Sequence, residues 1–84
     1  MFYVYFLKSK KDGNLYIGST NNLRRRFKEH NNGEIFSTKS RRPFELIYYE
    51  AYKSEKDTRK RKVDLKLRSK AFIQLKRRIK KSLR

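Results

Sequence analysis

The chain has 84 residues, which is enough for one domain with a modest hydrophobic core. It carries 25 Lys and Arg against 8 Asp and Glu, a formal charge of +17, and it contains no Cys. The lack of Cys excludes a disulfide framework and a thiolate metal site. The longest apolar run, residues 2–7, is far too short to span a bilayer, and the N-terminus does not resemble a signal peptide. We therefore expect a soluble, cytoplasmic protein.

The large positive charge favours a polyanionic partner, because a compact chain with this charge repels itself unless anions are near. DNA is the leading candidate. RNA or an anionic lipid surface satisfies the same electrostatics, since attraction to phosphate carries little sequence information. We expect nucleic acid, and neither a membrane nor a small-molecule substrate.

Two strands and a hairpin are predicted at the start of the chain. Residues 2–8, FYVYFLK, are aromatic and β-branched, and Asp12-Gly13 signals a tight turn into a second strand at Leu15. Antiparallel pairing would bring Tyr5 and Tyr16 close together, either across the sheet or diagonally. Taken alone, both tyrosines are also consistent with simple strand packing.

A helix is predicted to begin at Leu23, after N-cap oxygens offered by residues 19–22, and to end at residues 31–33. Before it, Gly18 permits a close backbone approach. One stripe of this helix combines apolar and polar side chains: Leu23, Arg26, Phe27 and His30. An arginine and a histidine on a packing face suggest a small polar site, although a snorkelling Arg and a hydrogen-bonded core His give the same pattern.

A polar, basic loop is expected over residues 34–43, closed by Pro43, and a third strand over residues 44–53. The loop has five residues suited to phosphate contacts: Ser37, Thr38, Lys39, Arg41 and Arg42. The strand FELIYYEAYK alternates so that both faces are covered, which predicts that it is the centre of the sheet.

Two further helices complete the predicted fold. Ser54 and Asp57 are typical of a capping box, and the helix that follows has a basic stripe: Thr58, Arg61, Lys62 and Leu65. The pattern resets near Ser69, and a helix over about 69–82 has an apolar stripe on an otherwise basic surface, which suits a nucleic-acid clamp or, less well, a membrane-surface helix. The sequence thus predicts one α+β domain, a three-stranded antiparallel sheet flanked by helices, with its core in residues 2–66.

Several short motifs in combination resemble the GIY-YIG nuclease family, and its small stand-alone bacterial members above all. They are YVY at 3–5, YIG at 16–18, LRRRFKEH at 23–30 and RPFELIYYEAY at 42–52. The resemblance implies a three-stranded antiparallel sheet flanked by helices. It also implies cleavage of DNA phosphodiesters with Mg²⁺ or Mn²⁺, as in excision repair and in homing endonucleases.

The resemblance also implies site residues. Tyr5 and Tyr16 correspond to the two motif tyrosines, and the second of these is proposed to help activate the attacking water. Arg26 corresponds to the arginine that binds the scissile phosphate, and His30 to a histidine that assists proton transfer. These residue types suit the reaction, which needs a base near the water and positive charge on the phosphate oxygens. Tyr3 stands where the family's first motif usually has glycine.

One departure from the family bears on the metal. In similar sequences the second helix carries a glutamate that binds Mg²⁺, and Lys62 stands at that position within DTRKRKVDLK. An ammonium repels a cation that needs oxygen ligands. Asp64 is displaced by about 200° around the helix. The late asparagine of several members is also missing. Two alternatives would still allow catalysis. A register shift could bring another acidic residue into the site, or Lys62 could itself act as an electrophile without a metal.

The leading hypothesis is therefore a GIY-YIG DNA endonuclease domain whose metal site is weakened or lost. The alternatives are a non-catalytic DNA- or RNA-binding module that retains the phosphate cradle, and a basic structural protein associated with RNA. The residues expected to contact nucleic acid are Arg24, Arg25, Lys28, Lys39, Arg41, Arg42 and Lys62.

Overall fold

The computed structural model of the protein describes residues 1–67 and 70–84. The strands are β1 (Phe2–Ser9), β2 (Leu15–Thr20) and β3 (Phe44–Tyr52), and the helices are α1 (Leu23–Asn31), α2 (Glu55–Lys66) and α3 (Lys70–Arg78). A single 3₁₀ turn, Lys39–Arg41, precedes β3. The predicted α+β class and the antiparallel sheet are confirmed. The predicted pattern change near Ser69 lies outside the described residues.

The strand order is β2-β1-β3, so β1 is the central strand. The prediction that the third strand is central was wrong. The physical reason lies in β1 itself, where four consecutive residues, 4–7, are at most 1% exposed, as expected for a strand covered on both faces. On β3, by contrast, Tyr49 is 52% exposed.

A β-bulge interrupts the pairing of β1 with β3. Phe6 lies opposite Tyr48, whereas the next residue, Leu7, lies opposite Leu46. The extra residue, Ile47, therefore breaks the strict alternation predicted for this strand. Leu46 packs on the α1 side of the sheet, and Tyr48 packs on the side of α2 and α3.

The sheet separates two apolar clusters. On one face, the buried residues come from β1, α2 and α3: Val4, Phe6, Leu65, Phe72 and Leu75. On the other face, the buried residues are Tyr5, Leu7 and Phe44, with α1 packed against them. The apolar stripe predicted for the last helix is thus confirmed at Phe72 and Leu75.

Local capping signals set the helix ends. The Asn22 side chain accepts a hydrogen bond from the Arg25 N–H at 3.1 Å, and Gly33 takes a left-handed φ of +76° just beyond α1. The Ser54 side chain accepts one from the Asp57 N–H at 3.2 Å at the start of α2. The last helix ends at Arg78 rather than near residue 82, which agrees with repulsion among its closely spaced cations.

Candidate active site

A buried chain of hydrogen bonds joins β1, α1 and the loop before β3. The Tyr5 hydroxyl lies 2.9 Å from Nε2 of His30, and Nδ1 of His30 lies 2.8 Å from the Thr38 hydroxyl. The Thr38 hydroxyl can donate to the Ile35 carbonyl at 3.5 Å, which leaves its oxygen to accept from His30. In this arrangement His30 carries its proton on Nδ1, and Nε2 accepts from Tyr5.

Burial keeps both ring groups in this chain neutral. Burial raises the pKa of Tyr5 to about 12, with Tyr16 and Glu29 acting in the same direction and Arg26 opposing them. Burial also lowers the pKa of His30, and the charge of Arg26 adds to this effect. Tyr5 is therefore a phenol that donates a hydrogen bond at neutral pH, and His30 is an imidazole that can accept its proton.

The Tyr5 ring lies directly over Gly18, its partner across the β1–β2 pair. A Cβ placed on Gly18 would lie 2.5 Å from Cζ of Tyr5, and it would also contact the hydroxyl. No side chain fits there without displacing the tyrosine. The close backbone approach predicted at Gly18 is confirmed, and the group that approaches is Tyr5.

Arg26 projects from α1 beside this buried chain. Its side chain is 38% exposed, and its Nη1 lies 3.2 Å from Oε1 of Glu29. Burial opposes the charged form, but hydrogen bonds with Tyr5 and Glu29 outweigh it and raise the pKa of Arg26. A partly exposed, permanently charged guanidinium next to a phenol is suited to bind a phosphate.

Tyr16 completes the group. Its ring centroid lies 5.0 Å from that of His30 and 6.3 Å from that of Tyr5. On its other side, Nζ of Lys66 lies 5.8 Å from the centre of the Tyr16 ring. The structure therefore brings together Tyr5, Tyr16, Arg26 and His30, the four residues that the sequence analysis selected as catalytic.

Lys62 lies on the side of α2 that runs alongside β2. Arg59 lines a groove with residues 19–21, and Lys66 lines another with Tyr16. Lys62 stands between them, three residues after Arg59 and four before Lys66, on the same side of the helix. The face of α2 toward β2 thus carries three cations, and the middle one, Lys62, stands where the resemblance implies a metal-binding glutamate.

These residues do not fit a hard divalent cation. Mg²⁺ and Mn²⁺ take oxygen ligands, whereas the α2 side chain over the Tyr16 ring ends in the ammonium group of Lys66. Within residues 1–67 and 70–84, no three His, Cys, Asp or Glu side chains lie close enough to hold a metal ion. Glu29 has a carboxylate next to the site, but this carboxylate already forms an ion pair with Arg26.

The predicted nucleic-acid contacts lie in different surroundings. Five of these side chains belong to exposed residues: Arg24, Arg25, Lys28, Lys39 and Arg42. Arg41 is engaged elsewhere, since its Nε lies 2.8 Å from Asp12 and its guanidinium lies over the Phe44 ring. Lys62 is half-buried. Contacts of all seven with nucleic acid stay a prediction.

Two side-chain contacts at the site could not be predicted from the sequence. Thr38, expected to contact phosphate, is instead fully buried against His30. Asn31 was not singled out, yet it bonds to both the N–H and the C=O of Phe44 and so ties α1 to β3. Neither role has a sequence signal, because both depend on residues that meet only in the folded chain.

A partly buried ion pair lies on the opposite face of the sheet. Arg61 donates two hydrogen bonds to Glu50, at 2.8 and 2.9 Å, and the hydroxyls of Tyr48 and Tyr52 donate to the same carboxylate. Despite burial, these donors hold the pKa of Glu50 down, to about 2. This arrangement explains why a basic residue is found on the packing face of α2. A carboxyl group in the middle of an aromatic strand was the signal that could have revealed it.

The fold and this site define a small α+β domain in which two sheet tyrosines meet an arginine and a histidine of the first helix. The family profile described as the GIY-YIG catalytic domain matches residues 1–81. The chain belongs to this family.

Relatives of similar size support the assignment. A UPF0213 protein of Clostridium perfringens is 43% identical over 67 residues, covering 79% of this chain and 71% of the relative. A UPF0213 protein of Staphylococcus saprophyticus is 38% identical over 65 residues, covering 76% and 78%. A third, from Syntrophus aciditrophicus, is 41% identical over 71 residues, covering 82% and 80%. No solved structure gives a significant match.

Across the part of the chain that the structure describes, no helix has the length and apolar character needed to cross a membrane.

Proposed function

We propose that this chain is a DNA-binding GIY-YIG nuclease-like domain that retains the phosphate cradle and has a weakened or lost metal site. The observation that supports it best is the position of Arg26. Its guanidinium is partly exposed and lies beside a buried Tyr5–His30 hydrogen bond. A bound phosphate would replace Glu29 as the partner of Arg26.

The same residues can move a proton. A water attacking the phosphorus must lose a proton, and the leaving oxygen departs with the electron pair of the P–O bond and takes a proton from solvent water. The Tyr5 hydroxyl can take up that proton while passing its own to Nε2 of neutral His30. Arg26 stabilises the charge that develops on the phosphate oxygens. Without a metal, these residues provide positioning and one proton transfer, so we expect slow cleavage or none.

Lys62 is the basis for the proposed loss of the metal. It lies between Arg59 and Lys66 on the side of α2 that faces β2, where a divalent cation would meet like charge. The non-catalytic DNA- or RNA-binding module is the limiting case of this proposal, in which the cradle binds phosphate and no cleavage follows.

We predict that Lys62→Glu gains Mg²⁺ binding and measurable nicking of DNA, because it supplies an oxygen ligand and removes a competing cation. The measurement is a cleavage assay on duplex, branched and single-stranded DNA with Mg²⁺, Mn²⁺ or chelator. Wild type should bind the same DNA with little or no Mg²⁺-dependent cleavage. DNA affinity of the variant should fall modestly, since its net charge drops by two.

Lys62→Ala is the matched control, because it removes the repulsion and supplies no ligand. If Lys62→Ala cleaves as well as Lys62→Glu, the carboxylate argument is wrong. Robust Mg²⁺-dependent cleavage by highly purified wild type, lost in Tyr16→Phe, would overturn the proposed loss of the metal site. In that case Glu29→Gln would test whether Glu29 supplies the ligand.

A further inference from the structure

An apolar groove of about 480 Å³ lies on the α1 side of the sheet. Tyr3 and Tyr49 form its aromatic wall, with ring centroids 6.0 Å apart in an edge-to-face arrangement. The rest of its lining comes from β3, from α1 and from the turn before α1: Asn21, Asn22, Leu23, Arg24, Phe27 and Leu46. The groove is open, since Tyr49 is 52% exposed.

The groove adjoins the candidate active site along β1. Tyr3 and Tyr5 are two residues apart on β1, so they point to the same face of the sheet and are separated by about 7 Å along the strand. Tyr49 is the direct partner of Tyr5 across the β1–β3 pair. A nucleotide adjoining a phosphate held at Arg26, which interacts with Tyr5, is therefore within reach of Tyr3 and Tyr49.

The composition of the groove indicates what it binds. Two aromatic rings and an apolar floor suit a flat aromatic group, and the asparagines and Arg24 at the rim suit the polar edge of that group. A second copy of this chain is a poor occupant, because it also carries a charge of +17 and would bring cations against the exposed Arg24 and Arg25.

We propose that this groove stacks one unpaired nucleobase of the DNA strand whose phosphate lies at Arg26. The inference rests on the proposed function and adds a substrate class to it. A base inside a duplex is paired and stacked, so it cannot enter the groove without being extruded. The protein therefore prefers DNA with a single-stranded segment at a junction, such as a flap, over a fully paired duplex.

The test compares a flapped DNA with a blunt duplex of the same paired sequence, both bound by the full chain in the presence of chelator. The fluorescent base 2-aminopurine occupies the unpaired position next to the junction. We expect wild type to bind the flapped DNA more tightly and to quench the fluorescence. Tyr49→Ala should weaken binding of the flapped DNA roughly 5-fold to 150-fold, the range for loss of one stacked base, with duplex affinity unchanged.

Tyr49→Phe is the matched control, because it keeps the ring and loses only the hydroxyl, and it should behave as wild type. Tyr3→Ala should reproduce the loss. Equal affinity of wild type for the two DNAs, with unchanged fluorescence, would overturn the stacking proposal and leave the proposed function standing. Absence of binding to either DNA would overturn both. A wild-type dimer that dissociates in Tyr49→Ala would show that a second copy occupies the groove, contrary to the proposal.

Discussion

His30 shows how one residue takes its role from burial. It is fully buried, yet both ring nitrogens have partners, so its burial leaves no polar atom without a hydrogen bond. The Thr38 hydroxyl fixes the ring from one side, and the Tyr5 hydroxyl uses the other. Tyr5, His30 and Thr38 therefore form one hydrogen-bonded unit, and a substitution of any one of them should alter the hydrogen bonds of the other two.

We predict that the imidazole of His30 is protonated at a lower pH than that of a free histidine, and that its neutral form carries the proton on Nδ1. Its pKa is lowered by burial and by Arg26, so protonation begins at a lower pH than for a free histidine. Nitrogen NMR can follow this directly, because His30 is the only histidine of the chain. Thr38→Val should change the tautomer signal, whereas Ser37→Ala, at an exposed neighbour, should not. A His30 that titrates at or above pH 6.5 would contradict the prediction.

The helix α2 shows how an ion pair at the level of elements explains a pattern that was puzzling in the sequence. Its packing stripe is basic because Arg61 reaches across to Glu50 on β3, while Thr58 and Leu65 are buried on either side. The charged pair lies in a ring of hydrogen-bond donors, so the carboxylate is stable where it is partly desolvated.

We predict that Glu50 makes the protein acid-sensitive between about pH 4.5 and pH 2. The pKa of Glu50 falls from an ordinary 4.5 to about 2 on folding, so its stabilising effect is complete above pH 4.5 and is lost as the pH falls through 2. The free energy of unfolding should drop by roughly 3 kcal/mol over this window because of Glu50 alone. Urea unfolding of wild type and Glu50→Gln at several pH values measures the difference.

Glu45→Gln, at an exposed position on the same strand, is the control and should keep the wild-type pH dependence. Where Glu50→Gln is too unstable to study, Tyr52→Phe removes one donor and should shift the acid transition to higher pH. Parallel stability curves for wild type and Glu50→Gln would disprove this role of Glu50.

The whole molecule combines a small core with a surface dominated by positive charge. Exposed cations occur on α1, in the loop before β3 and in the final turn of the last helix: Arg24, Arg25, Lys28, Lys39, Arg42, Lys76, Arg77 and Arg78. A surface of this kind attracts a phosphate backbone without reading its sequence. Arg26 differs from these cations because Tyr5 and Glu29 hold it at one place.

We predict that DNA binding collapses as salt rises. If six to ten phosphates are neutralised, affinity should fall roughly 10³- to 10⁵-fold between 50 and 200 mM salt. Fluorescence anisotropy over a salt series gives the slope. Arg26→Ala should weaken binding about 10-fold or more, because it removes a positioned guanidinium, whereas Lys60→Ala, an exposed cation on α2, should have a small effect. A DNA affinity that does not change with salt would contradict the electrostatic argument. Equal losses of affinity in Arg26→Ala and Lys60→Ala would show that Arg26 has no specific role in binding.

The sequence by itself determined the elements of this protein and the residues of its candidate site. Period-2 and helical patterns, the caps at Asn22 and Ser54, and the turn glycines all act within a few residues, so the strands and helices could be predicted nearly to their ends. The GIY-YIG motifs, read together, selected the four residues that the structure brings together around Tyr5. These features depend on neighbouring residues or on a family pattern, so they can be predicted without a structure.

Only the tertiary structure decided how the elements are arranged. The central place of β1, the bulge at Ile47 and the pairing of Arg61 with Glu50 depend on which segments meet after folding. The same holds for Thr38, because nothing near it in the sequence predicts that its hydroxyl bonds to His30 in the folded chain. Strand order and buried polar contacts depend on which residues far apart in the chain pack together most favourably. A pattern confined to neighbouring residues does not predict that outcome.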